Sequence, residues 1–310
     1  MAEYKADVLI IGSGPAGYTA GIYTARAGLT TLIVTGKQKG GQLILSSEVD
    51  NFPAFTETMT GFDIMEKMRQ QAEARGVQMV DDVVNEVDFL DHPFTCSSNA
   101  GNSYQSKAIV IATGSSVNWL GLPSEKKFMG HGVSSCATCD GFFYRGKEVA
   151  VVGGGNTAAE EALYLSAFTD KVYLIHRRHS LRADMVLQQR IQHNRKIVMV
   201  WNTIIEEVLG TENPLSVTGL KIRNVKTDME KTLNISGLFV AIGHHPNTEL
   251  FRNYLNLTSG GYIATMPDGC STNVKGVFAA GDVCQPEYHQ AVIAAGSGAK
   301  AALETIKYLR

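Results

Sequence analysis

With 310 residues and 44% hydrophobic content, the chain can bury a sizeable core and hold two domains of ordinary size. A net charge of −2, with no long run of either sign, argues against a nucleic-acid surface or a basic membrane-binding tail. Nucleic acid and membrane are therefore not expected partners. The opening Met1-Ala2-Glu3-Tyr4-Lys5-Ala6-Asp7 has no cationic stretch ahead of a long apolar one, and the apolar run 8–11 is too short to cross a bilayer, so it reads as a strand and not a signal. Five cysteines with one close pair fit a reducing cytoplasm better than a secreted disulfide framework. Cys96, Cys270 and Cys284 read as packing residues.

The run Asp7-Val8-Leu9-Ile10-Ile11 enters Gly12-Ser13-Gly14-Pro15-Ala16-Gly17, followed by a helical stretch to Gly28 and an apolar run at 31–34. Strand, glycine turn, helix and strand in this order form a dinucleotide fingerprint: Gly12 makes the tight turn, Gly14 lets a pyrophosphate approach, and Gly17 lets the helix pack on the sheet. The second strand ends in Thr35-Gly36 without the acid that usually binds a ribose. The polar loop Lys37-Gln38-Lys39-Gly40-Gly41-Gln42 is expected to hold the nucleotide there. Alternating segments at 83–108 suit an antiparallel appendage, and Ile109-Val110-Ile111-Ala112-Thr113-Gly114 closes the module.

Next comes Cys136-Ala137-Thr138-Cys139-Asp140. Taken alone, a Cys-x-x-Cys pair suits redox work or half of a zinc site, with chance in a buried segment as a third reading. No other spacing in the chain completes a zinc set, so no metal is expected, and two nucleotide modules offer the pair an electron source. Asp140 reads as a proton carrier beside the thiols or as a turn residue.

The pattern recurs at Glu148-Val149-Ala150-Val151-Val152, Gly153-Gly154-Gly155-Asn156-Thr157-Ala158, a helix to Leu165 and a strand at 171–175. A second alternating stretch follows at 197–235 and a closing strand at 238–243, so the two halves read as an internal duplication. This module's second strand ends in His176-Arg177-Arg178, with Arg182 one turn on, which favours NADP(H) over NAD(H) because a basic cluster there suits a 2′-phosphate. His244-His245 before Pro246 reads as structural or cofactor-adjacent. Gly276-Val277-Phe278-Ala279-Ala280-Gly281-Asp282 and a small-residue helix at 291–302 end the chain. If they complete the first module, the second is an insertion with two linkers.

These motifs together resemble bacterial thioredoxin reductase of the low-molecular-weight type, a class II pyridine nucleotide-disulfide oxidoreductase. The resemblance covers essentially the whole chain and rests on the two fingerprints, Gly40-Gly41-Gln42-Leu43, Cys136 through Phe143, His176-Arg177-Arg178 and Gly276 through Val283. It implies FAD in the first module, NADPH in the second, a redox-active Cys136-Cys139 disulfide, a homodimer, and thioredoxin as electron acceptor. By position, Cys139 would face the flavin, Cys136 would attack the thioredoxin disulfide, and Asp140 would manage their protons. The implied FAD contacts are Gly12, Gly14, Pro15, Ala16, Gly17, Thr35, Gly36, Lys37, Gln38, Lys39, Gly40, Gly41, Gln42, Asn51, Thr113, Gly114, Asp282, Val283, Cys284, Gln285, Pro286, Glu287, Tyr288, His289, Gln290 and Ala291. The implied NADP contacts are Gly153, Gly155, Asn156, Thr157, His176, Arg177, Arg178 and Arg182. The family commonly carries arginine where this chain has His289 and His131, which bears on one flavin contact and on partner docking.

The resulting expectation is an α/β chain of two Rossmann-like domains, each with a parallel sheet and an antiparallel β appendage. Residues 1–116 and 245–310 would bind FAD, and the inserted 117–244 would bind NADPH and carry the dithiol. Both the nicotinamide and the disulfide must reach one flavin ring, so hinges are expected at 115–122 and 243–249. Phe142-Phe143 would anchor a protein partner or pack in the core. A related flavin enzyme acting on a small dithiol, or a non-catalytic redox sensor, are the competing readings.

Overall fold

The β-branched run ahead of the first glycine turn forms β1 (Glu3–Ile11), whose last four residues are buried. Burial on both faces explains why the run is apolar without alternation. Pro15 opens α1 (Pro15–Arg26), where its missing N–H costs no helical hydrogen bond. The chain returns as β2 (Thr31–Val34), parallel to β1 with Val8 opposite Thr31 and Ile11 opposite Val34. Then α2 (Gly61–Glu73) begins at Thr60, whose hydroxyl accepts the Asp63 N–H, and β3 (Gln78–Val80) pairs with β2.

The alternating segment forms β4 (Val84–Asp88), β5 (Phe94–Ser98) and β6 (Ser103–Ile111). β6 lies parallel to β1 and antiparallel to β5, so these strands extend the main sheet in the order β3-β2-β1-β6-β5-β4.

The chain leaves this sheet through β7 (Ser115–Val117) and α3 (Pro123–Lys127). Glu125 is 1% exposed, and its carboxylate accepts the N–H groups of Leu120 and Gly121, both at 2.9 Å. After β8 (Val133–Ser134) and α4 (Ala137–Asp140) comes the second nucleotide module: β9 (Glu148–Gly153), α5 (Asn156–Ser166), β10 (Lys171–His176), α6 (Met185–His193) and β11 (Ile197–Trp201). β12 (Thr203–Glu212), β13 (Leu215–Asn224) and β14 (Glu230–Asn234) form a separate antiparallel sheet. β15 (Gly237–Ala241) completes the parallel sheet, ordered β11-β10-β9-β15-β8.

The chain comes back through β16 (His244–Pro246), which pairs with β7, and β17 (Val277–Ala279) joins β6 in parallel. Finally α7 (Ala291–Leu309) packs against α1. At Gly298 an added Cβ would stand 2.1 Å from the Ala16 carbonyl oxygen, so the small-residue composition of α7 is what lets the two helices approach.

This computed structural model describes all 310 residues. They divide into two units: Met1–Ser46, Phe52–Ser116 and His245–Arg310 in the first, Ser47–Asn51 and Val117–His244 in the second. Within the first unit, Asn247 ties the exit and the return together. Its Nδ2 donates to the Thr113 carbonyl at 2.8 Å, its N–H donates to Gly114 O at 3.0 Å, and its Oδ1 accepts the Ser116 hydroxyl at 2.8 Å. No helix is long and apolar enough to cross a membrane.

Candidate active site

In the first unit the glycine turn and the loop after β2 are held together by one buried hydroxyl. Ser13 Oγ donates to Thr35 O at 2.7 Å and accepts the Gly40 N–H at 3.1 Å, so Thr35, Gly36, Lys37, Gln38, Lys39 and Gly40 fold back toward the turn. Gly41 continues the approach: its Cβ would stand 3.1 Å from Gly14 Cα. The Gln42 side chain donates to Ser115 O. Lys39 pairs with Asp81 at 2.5 Å, and Thr35 Oγ1 reaches the same carboxylate at 3.5 Å. An acid does stand beside the end of β2, supplied by the residue after β3. The Gly281-Asp282 turn sits against α1, where a Cβ on Gly281 would lie 3.0 Å from that of Ala16. Burial raises the Asp282 carboxyl above its ordinary range, with His289 opposing. Cys284 is likewise pushed up to about 12 by burial, as suits a thiol that takes no part in exchange. Pro286, Glu287 and Tyr288 are exposed, leading to Gln290 and Ala291 at the start of α7. Asn51 falls in the segment that groups with the second unit.

In the second unit the basic cluster separates into two parts. His176 is buried against the fingerprint, so close that a Cβ on Gly154 would meet its ring at 2.2 Å. Burial lowers its pKa, opposed by hydrogen bonding to Gly153 and Ser180 and reinforced by Arg178 and Arg182, so the ring is neutral at pH 7. Its Nε2 is buried with no hydrogen-bond partner. Arg177, Arg178 and Arg182 are exposed. Their loop is fixed by the Arg182 N–H on Gly154 O at 2.7 Å and by Asn156, which exchanges two hydrogen bonds with Asp184.

Cys136 and Cys139 form a disulfide at the start of α4. The Cys136 N–H donates to Ser134 Oγ at 3.0 Å, and its sulfur lies 3.4 Å from the Thr138 hydroxyl. The N–H groups of Cys139 and Asp140 both donate to Cys136 O, at 3.2 and 3.1 Å. Burial raises the Asp140 carboxyl; the Ser134 hydroxyl opposes this, and Glu48 and Asp50 add to it. A carboxyl held toward its neutral form one residue beyond Cys139 is suited to giving and taking a proton. Phe142 is 58% exposed beneath the Arg145 guanidinium, whereas Phe143 is half-buried. No group of three or more His, Cys, Asp or Glu is arranged to hold a metal ion.

Ser13, Asp81, Ser134, Glu161 and Asn247 escaped the motif reading. Of these, only Glu161 left a usable trace: it falls three residues after Ala158 and four before Leu165, on the buried stripe of α5.

Residues 6–298 match the family of pyridine nucleotide-disulphide oxidoreductases. The chain belongs to that family. It is 51% identical over 302 residues, 97% of each chain, to a thioredoxin reductase of Rickettsia conorii. It is 48% identical to a Pseudomonas fluorescens protein named glucosaminate ammonia-lyase, covering all of this chain and 98% of that one. A solved thioredoxin reductase from Giardia duodenalis superposes with a TM-score of 0.93 at 38% identity, over 99% of both chains.

Pyridine nucleotide-disulphide oxidoreductases use a flavin and a nicotinamide nucleotide, and both turns fit such groups. A Cβ built on Gly14 or on Gly155 meets nothing within 4 Å. Each glycine precedes a helix whose first N–H groups have no side-chain cap, α1 and α5 respectively. Open space in front of uncapped amides is what a pyrophosphate requires.

Proposed function

We propose that the protein is an NADPH-dependent thioredoxin reductase. FAD would be held by residues 1–116 and 245–310, which apart from Ser47–Asn51 make up the first unit, and NADPH by the inserted 117–244 of the second. The observation that carries this reading is the Cys136–Cys139 disulfide standing on the same unit as one nucleotide turn, while a second nucleotide turn lies on the other unit.

A flavin bound there would supply a two-electron relay between a nicotinamide and a disulfide. The chain's own residues do the rest. Exposed Arg177, Arg178 and Arg182 bind the 2′-phosphate, which selects NADPH over NADH. The amides opening α1 and α5 hold the pyrophosphates. Asp140 supplies a proton to a leaving thiolate and takes one back when the dithiol attacks, because exchange is fastest when the departing sulfur is stabilised. Cys139 would face the flavin and Cys136 would attack the thioredoxin disulfide. Exposed Phe142 offers that partner an apolar anchor. Both the nicotinamide and the dithiol belong to one unit and need the same flavin, so the second unit turns about 115–122 and 243–249 between half-reactions. The working form is a cytoplasmic homodimer.

The test is NADPH consumption with and without thioredoxin, on the wild type and on Cys136→Ser. Thioredoxin-dependent turnover that disappears in the variant is expected; turnover retained by the variant would refute the assignment. Ammonia release from glucosaminate in place of this turnover would instead favour the lyase activity named for the Pseudomonas relative.

A further inference from the structure

Glu161 belongs to none of the fingerprints, and the reaction above gives it no part. α5 packs against α4, and Glu161 Oε1 accepts the N–H of Ala137 at 3.2 Å. Ala137 follows Cys136 directly and is the first residue of α4, so the carboxylate is anchored one peptide unit from a sulfur-bearing residue. Its other oxygen, Oε2, is closed off from solvent and has no hydrogen-bond partner. The residue as a whole is partly exposed, and Oε2 is its enclosed atom. Burial pushes Glu161 up to about 7, with the Ala137 N–H opposing and the Asp140 carboxyl reinforcing. Asp140 is the ionisable group facing it from α4. Behind Asp140 stand Glu48, Asp50 and the Tyr144 phenol, the last pushed up to about 12 by burial. No cation is among the groups acting on Glu161.

We propose that Glu161 is a positioning residue for the dithiol: it holds the Ala137 amide while the disulfide is intact, and its negative charge restrains thiolate formation once the disulfide is reduced. Two electrons and one proton break the S–S bond to one thiol and one thiolate, and a second proton gives two thiols. Below pH 7 Glu161 is neutral and leaves the thiolate free to form. Above pH 7 it is charged and holds the Ala137 N–H to itself, so the second proton is retained on sulfur. A full charge at this remove raises a thiol pKa by about one pH unit. The inference deepens the reading above, since it takes Cys136–Cys139 as the working dithiol. Its test requires neither NADPH nor thioredoxin, so the two can fail separately.

The holoenzyme is reduced with dithiothreitol and desalted. Alkylation of Cys136 by iodoacetamide is then followed by peptide mass spectrometry from pH 5.5 to 9 on the wild type, Glu161→Gln, Glu161→Asp and Asp140→Asn. Glu161→Gln keeps an acceptor for the Ala137 N–H and loses the charge. The expected result is equal rates at pH 6 and alkylation about tenfold faster in Glu161→Gln near pH 8. Glu161→Asp should restore the slow profile in part, and Asp140→Asn should keep the inflection but move it toward lower pH, because one of the charges that raise Glu161 is gone. Should Glu161→Gln fail to fold, the wild-type inflection and its persistence in Asp140→Asn carry the test. Superimposable profiles, a difference uniform across pH, or an inflection lost in Asp140→Asn would overturn the proposal.

Discussion

Two glycines in the second fingerprint, two residues apart, should fail in opposite ways when given a methyl group. At Gly153 the added Cβ would stand 2.2 Å from Ala241 O and 2.6 Å from Ala158 Cβ. The first obstacle is backbone in a paired strand, since β15 lies against β9 with Ala241 opposite Gly153. Relief requires β15 to retreat by about 1 Å, and overpacking of this kind costs about 3 kcal/mol. At about 2 °C per kcal/mol for a chain of this length, Gly153→Ala should melt about 6 °C below the wild type. At Gly155 nothing lies within 4 Å and the backbone is already extended (φ −94°), so Gly155→Ala should fold with a loss under about 1 kcal/mol, the difference between glycine and alanine at an N-cap. Its methyl group occupies the space assigned to the pyrophosphate. NADPH affinity should fall by about 10- to 100-fold, or about 1.4 to 2.8 kcal/mol. Thermal melting without nucleotide, NADPH titration and flavin content by absorbance separate the two outcomes. Unchanged NADPH affinity in Gly155→Ala with normal melting would refute the cradle, and normal melting of Gly153→Ala would refute the packing argument.

Arg177→Ala should weaken NADPH binding by at least tenfold and leave NADH binding unchanged; equal losses in a paired titration would count against the 2′-phosphate role. Glu161 retains its proton more tightly in the folded chain than the ordinary 4.5 of the unfolded one, so the wild type should lose stability as pH rises from about 4.5 to about 7 and then level off. Glu161→Gln removes that loss, so its stability relative to the wild type should rise by about 3 kcal/mol between pH 4 and pH 8 in urea melts. A pH-independent offset would contradict the buried charge. Asn247→Ala should destabilise the first unit by about 2 to 3 kcal/mol, because it leaves the partly buried Thr113 carbonyl and Ser116 hydroxyl without their donor and acceptor; an unchanged melting temperature would exclude this.

Strand β2 lies where the run 31–34 suggested because Gly28 and Gly36, both at positive φ, bound the run on either side. β1 starts earlier than its apolar core, at Glu3, since pairing with β6 continues into polar residues that local sequence does not mark. The helix expected at 291–302 runs to Leu309, where Thr305 is buried and donates to Ala301 O. The two glycine turns ahead of their helices and the Cys136–Cys139 pair were legible because each needs particular residues at fixed spacing. His176 shows the opposite: on paper it belongs with the arginines beside it, yet it is the last residue of β10 and lies under Gly154, while they follow the strand end and stand in solvent. Asn247 and Ser13 act on backbone groups far away in sequence, and their types carry no local signature of that duty.

The hydrogen bonds of Asn247 to Thr113 and Gly114 also make the inserted unit topologically removable. The first unit's chain departs and resumes at neighbouring backbone groups already bonded to each other. A deletion of residues 117–244 would need only a short loop to bridge the ends, and short-loop closure adds little entropic cost. The pinned crossing thus acts as a suture: the first unit is stitched shut independently of what is spliced into it, which accounts physically for how a second glycine-turn module could be carried inside the first without opening its core.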